Sequence, residues 1–204
     1  MACGSRVEGS WVEGELQGEA RFTFPDGRHF AGVWRAGRLE GGDFEGQFMQ
    51  DEGPFPGKHP LMADPYEACY VNVRPSTIPG AGEGLFSLCT IPADLVFCYY
   101  NGSKIAQTTV DSRMLSANGN VVLLDDSDIC IDVPVPYDSR THYCATSGHK
   151  ANHDAKRRNA VYINAFHPRF GHISALKSLR VIEPDEEILL DYEYAEAKPE
   201  WYRD

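Results

Sequence analysis

Short apolar runs, separated by turn residues, predict β-strands along most of the chain. The clearest runs are residues 70–73, 95–100, 121–124 and 129–131. Helical periodicity is scarce, and its best candidate is residues 109–116, where Thr109 would cap the start and Asp111 suits the first turn. The pattern therefore predicts a mainly β protein.

A repeat occupies the first fifty residues. Five residue types recur at an offset of 23 positions. Gly9, Trp11, Gly14, Leu16 and Gly18 are matched by Gly32, Trp34, Gly37, Leu39 and Gly41. Such spacing, with a turn at residues 25–27, predicts antiparallel β-hairpins over residues 1–50 and resembles the MORN repeat. We interpret the repeats either as a scaffold or as a docking face for lipid or protein. Residues 51–65, rich in proline, form the predicted linker to a main domain at 66–204.

Composition narrows the classes of partner. The 204 residues carry a net charge of −11, which argues against direct nucleic-acid binding and favours a cationic partner such as a lysine-rich peptide. No apolar run reaches the length of a membrane span, and no leader follows Met1. The six cysteines lack C-x-x-C spacing, so we expect no structural zinc cluster and a reducing compartment.

Two polar stretches late in the chain suggest a functional site. Residues 148–153 place two histidines in a short loop, and residues 185–194 end in a strand with Tyr192 and Tyr194 on one face. His149 and His153 have the spacing of a helical zinc site, but Lys150 replaces the glutamate that a zinc protease needs. We therefore expect no metal; a surface loop with hydrogen-bonded histidines is the alternative.

Several motifs in order resemble the SET-domain lysine methyltransferases, in particular the MORN-containing histone-lysine mono-methyltransferases. The matching motifs are Gly82-Glu83-Gly84, Tyr100-Asn101-Gly102, Asn152-His153, Tyr162 and Asp191-Tyr192-Glu193-Tyr194. This resemblance implies a fold of small β-sheets with a pseudoknot. It also implies transfer of a methyl group from S-adenosylmethionine to a lysine.

The resemblance assigns roles to ten residues. The cofactor would be bound by Ala81, Gly82, Glu83, Asn152, His153 and Trp201. The catalytic lysine channel would be formed by Tyr100, Tyr162, Tyr192 and Tyr194, with Tyr192 nearest the transferring methyl. The implied substrate is a lysine of a histone tail or another nuclear protein, which would be mono-methylated. We expect a monomer in the nucleus, on chromatin, with the cytoplasm as a second location.

The chain departs from the family pattern at two places. Residues 154–159 are one residue longer and carry three adjacent cations, which we expect to repel a basic peptide. The sequence ends at Asp204, where relatives continue into a helix over the cofactor, so we expect a shortened C-terminal segment and a less covered pocket. These departures motivate the alternative hypothesis of a catalytically inactive SET-fold interaction module.

Overall fold

Small β-sheets make up most of the described chain. The structure is a computed structural model that describes residues 6–23, 29–36, 38–45, 60–112, 119–124, 128–167 and 169–193. The prediction of a mainly β protein with antiparallel hairpins at its N-terminus is confirmed. No helix within these ranges is long and apolar enough to cross a membrane.

The strands and helices follow one another as short elements. The first four strands are β1 (Arg6–Val12), β2 (Glu15–Thr23), β3 (His29–Arg35) and β4 (Arg38–Glu45). The next elements are α1 (Glu67–Tyr70), β5 (Val71–Pro75), β6 (Glu83–Ser87), β7 (Val96–Tyr100), β8 (Ser103–Ala106), α2 (Gln107–Asp111), β9 (Val121–Leu123) and β10 (Ile129–Asp132). The last are a 3₁₀ turn (Gly148–Lys150), β11 (Asn152–His153), β12 (Ala160–His167), β13 (Gly171–Ser178) and β14 (Leu189–Leu190).

Strands β1 to β4 form one antiparallel sheet in chain order. The first hairpin turns at Glu13 and Gly14, whose φ angles of 51° and 84° match the left-handed turn that suits strand twist. A Cβ at Gly9 would lie 2.5 Å from the Cβ of Ala20 on the neighbouring strand, so glycine permits their close approach. The predicted turn at 25–27 lies outside the described residues.

The repeated tryptophans have different environments. Trp34 is buried on the inner face of the sheet, with Phe22, Phe30 and Met62 in the same cluster. Trp11, its partner in the repeat, is 56% exposed because β1 is an edge strand of the sheet. Identical repeat residues therefore contribute unequally to burial, and the assignment to MORN repeats stays a prediction.

A second sheet, with strand order β12-β13-β7, contributes side chains to two apolar clusters of the main domain. One cluster includes Phe97, Leu176 and Leu190, and the other includes Tyr100 and Ile173. Each fully buried side chain of this size contributes roughly 1.5–3 kcal/mol. The sheet thereby holds the end of β7, where Tyr100 lies, against a rigid core.

The segment around β14 joins distant parts of the chain. Leu189 and Leu190 pair in parallel with Asn152 and His153 of β11. The neighbouring Ile188 N–H donates to the Leu85 carbonyl at 2.8 Å, which connects the same segment to β6. The glycine-rich bend, the Asn-His pair and Tyr192 are brought to one region by these contacts.

A buried polar cluster attaches residues 60–70 to the main domain. Asp64 accepts a hydrogen bond from the Glu67 N–H at 2.8 Å, and its other oxygen lies 3.0 Å from His167 Nε2. Glu67 accepts from the Tyr99 N–H at 2.9 Å. Burial, followed by the nearby Asp64 charge, raises the pKa of Glu67 to about 8. Near pH 7 the protonated form of Glu67 is therefore favoured.

Helix α2 differs from the helix expected at 109–116. It begins at Gln107, so Thr109 lies inside the helix and does not cap it. The Gln107 N–H instead donates to the Asp128 carbonyl at 2.8 Å, which satisfies one N–H of the first turn without a capping side chain. Residues 113–116 of the expected helix are outside the described part of the chain.

Candidate functional site

Three of the four predicted channel tyrosines line one cavity of about 350 Å³. Tyr100 and Tyr162 lie on strands that flank β13, and their ring centroids are 5.9 Å apart in an edge-to-face arrangement. Tyr192, which follows β14, lines the same cavity. Tyr194 lies outside the described residues. The structure therefore brings Tyr100, Tyr162 and Tyr192 together from three separate parts of the chain.

Tyr192 is held at two points by the β11 segment. Its hydroxyl donates to the Ala151 carbonyl at 2.7 Å, and its backbone N–H donates to His153 Nδ1 at 3.1 Å. The rings of His153 and Tyr192 are 5.3 Å apart. Because the Tyr192 proton is directed to Ala151, the phenol oxygen can act as an acceptor toward a second group.

The predicted cofactor residues form a corner beside this cavity. Gly82 has a φ of 74°, a conformation that glycine adopts readily, at the bend before β6. The amide of Asn152 donates to the Glu83 carbonyl at 2.9 Å. Ala81, Gly82 and Glu83 are thus linked to Asn152 and His153, while Trp201 lies outside the described residues. The binding roles of all these residues stay predictions.

Two residues of this corner were not assigned to the cofactor site from the sequence. Lys150 forms an ion pair of 2.8 Å with Glu83, and Glu187 lies 3.2 Å from the Asn152 amide nitrogen. Lys150 immediately precedes the Ala-Asn-His sequence, which is the one sequence signal for its position. The partners of Glu187 are 35 (Asn152), 110 (Thr77) and 111 (Ser76) residues away along the chain, so no local pattern identifies it.

His149 does not lie in a polar surface loop. It is only 7% exposed, it lines the cavity, and its ring is edge-on to Tyr100 with centroids 6.2 Å apart. Neither ring nitrogen has a hydrogen-bond partner in the described part of the protein. Burial, and then the charge of Lys150, lowers the pKa of His149 to about 3. The surface-loop interpretation is therefore wrong for His149, which is a neutral wall residue.

The histidine spacing does not create a metal site in the described chain. His149 lies in the 3₁₀ turn and His153 in β11, so the two rings do not share a helical face. Among the described residues no group of three His, Cys, Asp or Glu side chains is arranged to hold a metal ion.

The basic loop at residues 154–159 is partly neutralised. Arg157 pairs with Asp154 at 2.6 Å, and Arg158 lies 3.4 Å from Asp191. Burial alone would raise the pKa of Asp154, but its hydrogen bonds with Arg157 and the charge of Arg157 lower it. Two of the three cations thus have carboxylate partners, which weakens the repulsion of basic peptides expected from the sequence.

The lining of the cavity favours a cationic guest. Glu193 and Asp191 are among its lining residues, with Asp191 also 3.4 Å from Arg158, the tyrosine rings are electron-rich, and His149 is neutral at physiological pH. A long aliphatic side chain with a terminal amine matches this combination of apolar walls and acidic lining residues.

Comparisons with known proteins identify the family. Residues 82–193 match the SET domain family. The chain is 42% identical over 156 residues to the histone-lysine N-methyltransferase SETD7 of Halocynthia roretzi, a match that covers 71% of this chain and 39% of that protein. The chain therefore spans well under half the length of this curated relative.

Two solved structures also show similarity. A humanized mutant of Chaetomium thermophilum Polycomb Repressive Complex 2 bound to the inhibitor GSK126 has a TM-score of 0.46 and 18% identity, over 60% of this chain and 15% of that chain. ctPRC2 in an autoinhibited conformation bound to S-adenosylmethionine has a TM-score of 0.46 and 16% identity, over 61% of this chain and 15% of that chain. On the match to residues 82–193, which is more than half of its length, the chain belongs to the SET-domain family.

Proposed function

We propose that this protein is a protein-lysine N-methyltransferase that uses S-adenosylmethionine. The single observation that carries the proposal is the convergence of Tyr100, Tyr162 and Tyr192 on a cavity beside the Asn152-His153 corner. Membership of the SET-domain family and identity with a histone-lysine N-methyltransferase support the same reaction.

The cavity suits the chemistry of methyl transfer to an amine. When bound, S-adenosylmethionine supplies an electrophilic methyl group on a sulfonium, and the lysine amine needs an available lone pair and a linear approach. The tyrosine rings provide apolar walls for the lysine stem, and their hydroxyls orient the amine. Asp191 and Glu193 draw the cationic side chain to the cavity before it loses its proton.

The neighbouring corner fits the amino-acid part of the cofactor. The positive φ of Gly82 lets the backbone approach a ligand closely. Asn152 uses its amide nitrogen toward Glu83 and Glu187, which leaves its carbonyl oxygen to accept from an ammonium group. Ala81, Glu83, His153 and Trp201 complete the set that we propose for cofactor binding.

We further propose a histone or another nuclear protein as substrate and mono-methyl-lysine as product. The relative described as a histone-lysine N-methyltransferase supports the substrate class and a location on chromatin. Tyr100 and Tyr162, placed edge to face, restrict the space around the amine and support a single methyl addition.

Calorimetric titration with S-adenosylmethionine, followed by incubation with tritiated cofactor and lysine peptides, tests the proposal. We expect cofactor binding and transfer of label to lysine. A matched Tyr192→Phe variant should bind the cofactor as the wild type does but transfer label at least about 10-fold more slowly. Binding without transfer to any peptide would favour an inactive interaction module, and absence of binding would contradict the proposed cofactor.

A further inference from the structure

Glu187 is a buried carboxylate with four hydrogen-bond donors around it. Its Oε1 accepts from Ser76 Oγ at 2.6 Å and from the Asn152 amide at 3.2 Å. Its Oε2 accepts from the Thr77 N–H at 2.9 Å and from the Thr77 hydroxyl. The residue is 6% exposed. A buried carboxylate with this many donors is held in one orientation.

The charge of Glu187 is retained inside the protein. Burial by itself would raise the pKa of Glu187, but the hydrogen bonds from Ser76, Thr77 and Asn152 together lower it below its ordinary value. At neutral pH the side chain is therefore ionised and can only accept hydrogen bonds.

This ionised acceptor determines which way the Asn152 amide faces. The two groups next to the amide nitrogen are the Glu83 carbonyl at 2.9 Å and the Glu187 carboxylate at 3.2 Å, and both can only accept. An amide placed between two acceptors must present its NH₂ group to them. No described residue donates to the Asn152 carbonyl oxygen, which is directed away from both acceptors.

Gly84 leaves the space that this arrangement needs. A Cβ at Gly84 would fall within contact distance of Glu187 Oε1 and would lie 3.2 Å from the Asn152 amide nitrogen. Any side chain at this position would displace the carboxylate, the amide or both. The glycine of β6, the hydroxyl residues 76–77 and Glu187 thus form one support for Asn152.

We propose that Glu187 is a positioning residue for cofactor binding: it orients Asn152 so that the amide carbonyl faces the ammonium group of S-adenosylmethionine. This inference rests on the proposed function, because it assumes the cofactor. Glu187 touches neither the reacting methyl nor the lysine, so its effect is on cofactor affinity more than on the chemical step.

Glu187→Gln is the direct test. A glutamine amide must place its NH₂ group opposite a donor, either Asn152 or the Thr77 N–H, so either Asn152 rotates or the side chain moves away from Thr77 and no longer holds Asn152. We expect the dissociation constant for S-adenosylmethionine, measured by calorimetry, to rise about 10-fold, which is typical for losing a hydrogen bond to a charged group. Saturating cofactor should recover most of the methylation rate, since the lysine cavity is unchanged.

Glu186→Gln provides a matched control. Glu186 is the adjacent residue, but it pairs with Arg180 at 2.5 Å and accepts from Asn159 at 3.0 Å, away from Asn152. We expect this variant to lower the melting temperature and to leave the cofactor dissociation constant within about 2-fold of wild type. If cofactor affinity fell only because stability fell, the dissociation constant would rise in both variants. A positioning role raises the dissociation constant in Glu187→Gln alone.

Two further variants keep the test informative if Glu187→Gln does not fold. Thr77→Val removes one donor to the carboxylate, and Gly84→Ala displaces it, and each should weaken cofactor binding. Either variant combined with Asn152→Ala should bind the cofactor no more weakly than Asn152→Ala alone. Both changes in such a double variant act on the same interaction, the one between the Asn152 amide and the cofactor.

The possible failures are distinguishable. If the wild type does not bind S-adenosylmethionine, the proposed function fails. If the wild type binds and these variants bind equally well, or if the double variant shows additive losses, Glu187 does not act through Asn152 and this inference alone is overturned.

Discussion

At the scale of single residues, His149 belongs to a polar sequence motif but is buried in the wall of the tyrosine-lined cavity. Its ring lies 6.2 Å from that of Tyr100 and 5.9 Å from that of Tyr143. Both ring nitrogens are buried without a hydrogen-bond partner in the described chain. Protonation there would place an unpaired charge in a low-dielectric site, which is why the pKa falls.

This burial predicts an acid-sensitive contribution to stability. The pKa of His149 falls from 6.5 to about 3 on folding, so the unfolded chain binds the proton more readily. Its contribution is complete above pH 6.5 and is lost as the pH falls toward 3, with a slope of up to about 1.4 kcal/mol per pH unit. In His149→Phe, denaturation by urea at several pH values should show a smaller acid loss than in wild type. Equal acid losses in the two proteins would contradict this assignment.

The second residue-scale prediction concerns the number of methyl groups transferred. Tyr162→Phe removes a hydroxyl that we place around the substrate amine, which leaves room for a second methyl group. Mass spectrometry of the peptide product should then show di-methylated lysine in addition to the mono-methylated form. Product from the variant that remains exclusively mono-methylated would count against this role of Tyr162.

The candidate site residues that could be predicted from the sequence are those with distinctive chemistry within a short motif. Tyr100, Tyr162 and Tyr192 were placed in one channel by resemblance, and the structure brings them to one cavity. Glu187 was not predicted, because its donors at residues 76, 77 and 152 come close only when β6, β11 and the segment before β14 pack together. Long-range hydrogen bonding of this kind has no local signature.

At the scale of elements, the 3₁₀ turn supports the end of β7. A Cβ at Gly148 would lie 2.6 Å from the Tyr99 carbonyl oxygen and 3.0 Å from the Tyr100 Cβ. Glycine is therefore needed for the turn to pack directly beneath the strand that bears Tyr100. The turn in this way links the position of Tyr100 to that of Asn152 two residues beyond its end.

Gly148→Ala should disturb this contact. Because the nearest atoms belong to backbone and to a short side-chain stem, the structure must shift, which typically costs about 1–3 kcal/mol. We expect a lower melting temperature by differential scanning calorimetry. Gly119→Ala is the stability control, since a Cβ there meets nothing within 4 Å. Equal melting temperatures for Gly148→Ala and wild type would show that the turn does not pack this tightly.

The strands were predicted better than the helices, for a physical reason. The continuous apolar runs at residues 95–100 and 129–131 are typical of buried strands, and they coincide closely with β7 and β10. The start of α2 was misplaced because a backbone carbonyl from Asp128 replaces the side-chain cap that the sequence suggested at Thr109. Capping by a distant backbone group is invisible in the local sequence.

At the scale of the whole molecule, the acidic balance favours a basic substrate. The net charge of −11 creates an attractive field for lysine-rich peptides. The ion pairs of Arg157 and Arg158 with carboxylates reduce the repulsion between the basic loop and such peptides. The field acts mainly on encounter and affinity, and it leaves the chemical step unchanged.

This field predicts a dependence on salt. Raising the ionic strength from roughly 0.01 M to roughly 0.15 M shortens the Debye length from about 30 Å to about 8 Å. Steady-state assays should show that KM for a lysine peptide with basic flanking residues increases, while kcat changes little. A peptide with neutral flanking residues is the control and should respond less. A KM that falls with added salt would indicate that the basic loop dominates the approach of the substrate.

The measurement that tests the account most directly is mass spectrometry of lysine peptides incubated with this protein and methyl-deuterated S-adenosylmethionine. The account predicts one deuterated methyl group on a lysine side chain, and greatly reduced labelling with Tyr192→Phe under cofactor saturation. Unlabelled peptides, including histone tails, in the presence of cofactor that calorimetry shows to be bound would contradict the assignment of the tyrosine cavity as a methyl-transfer site.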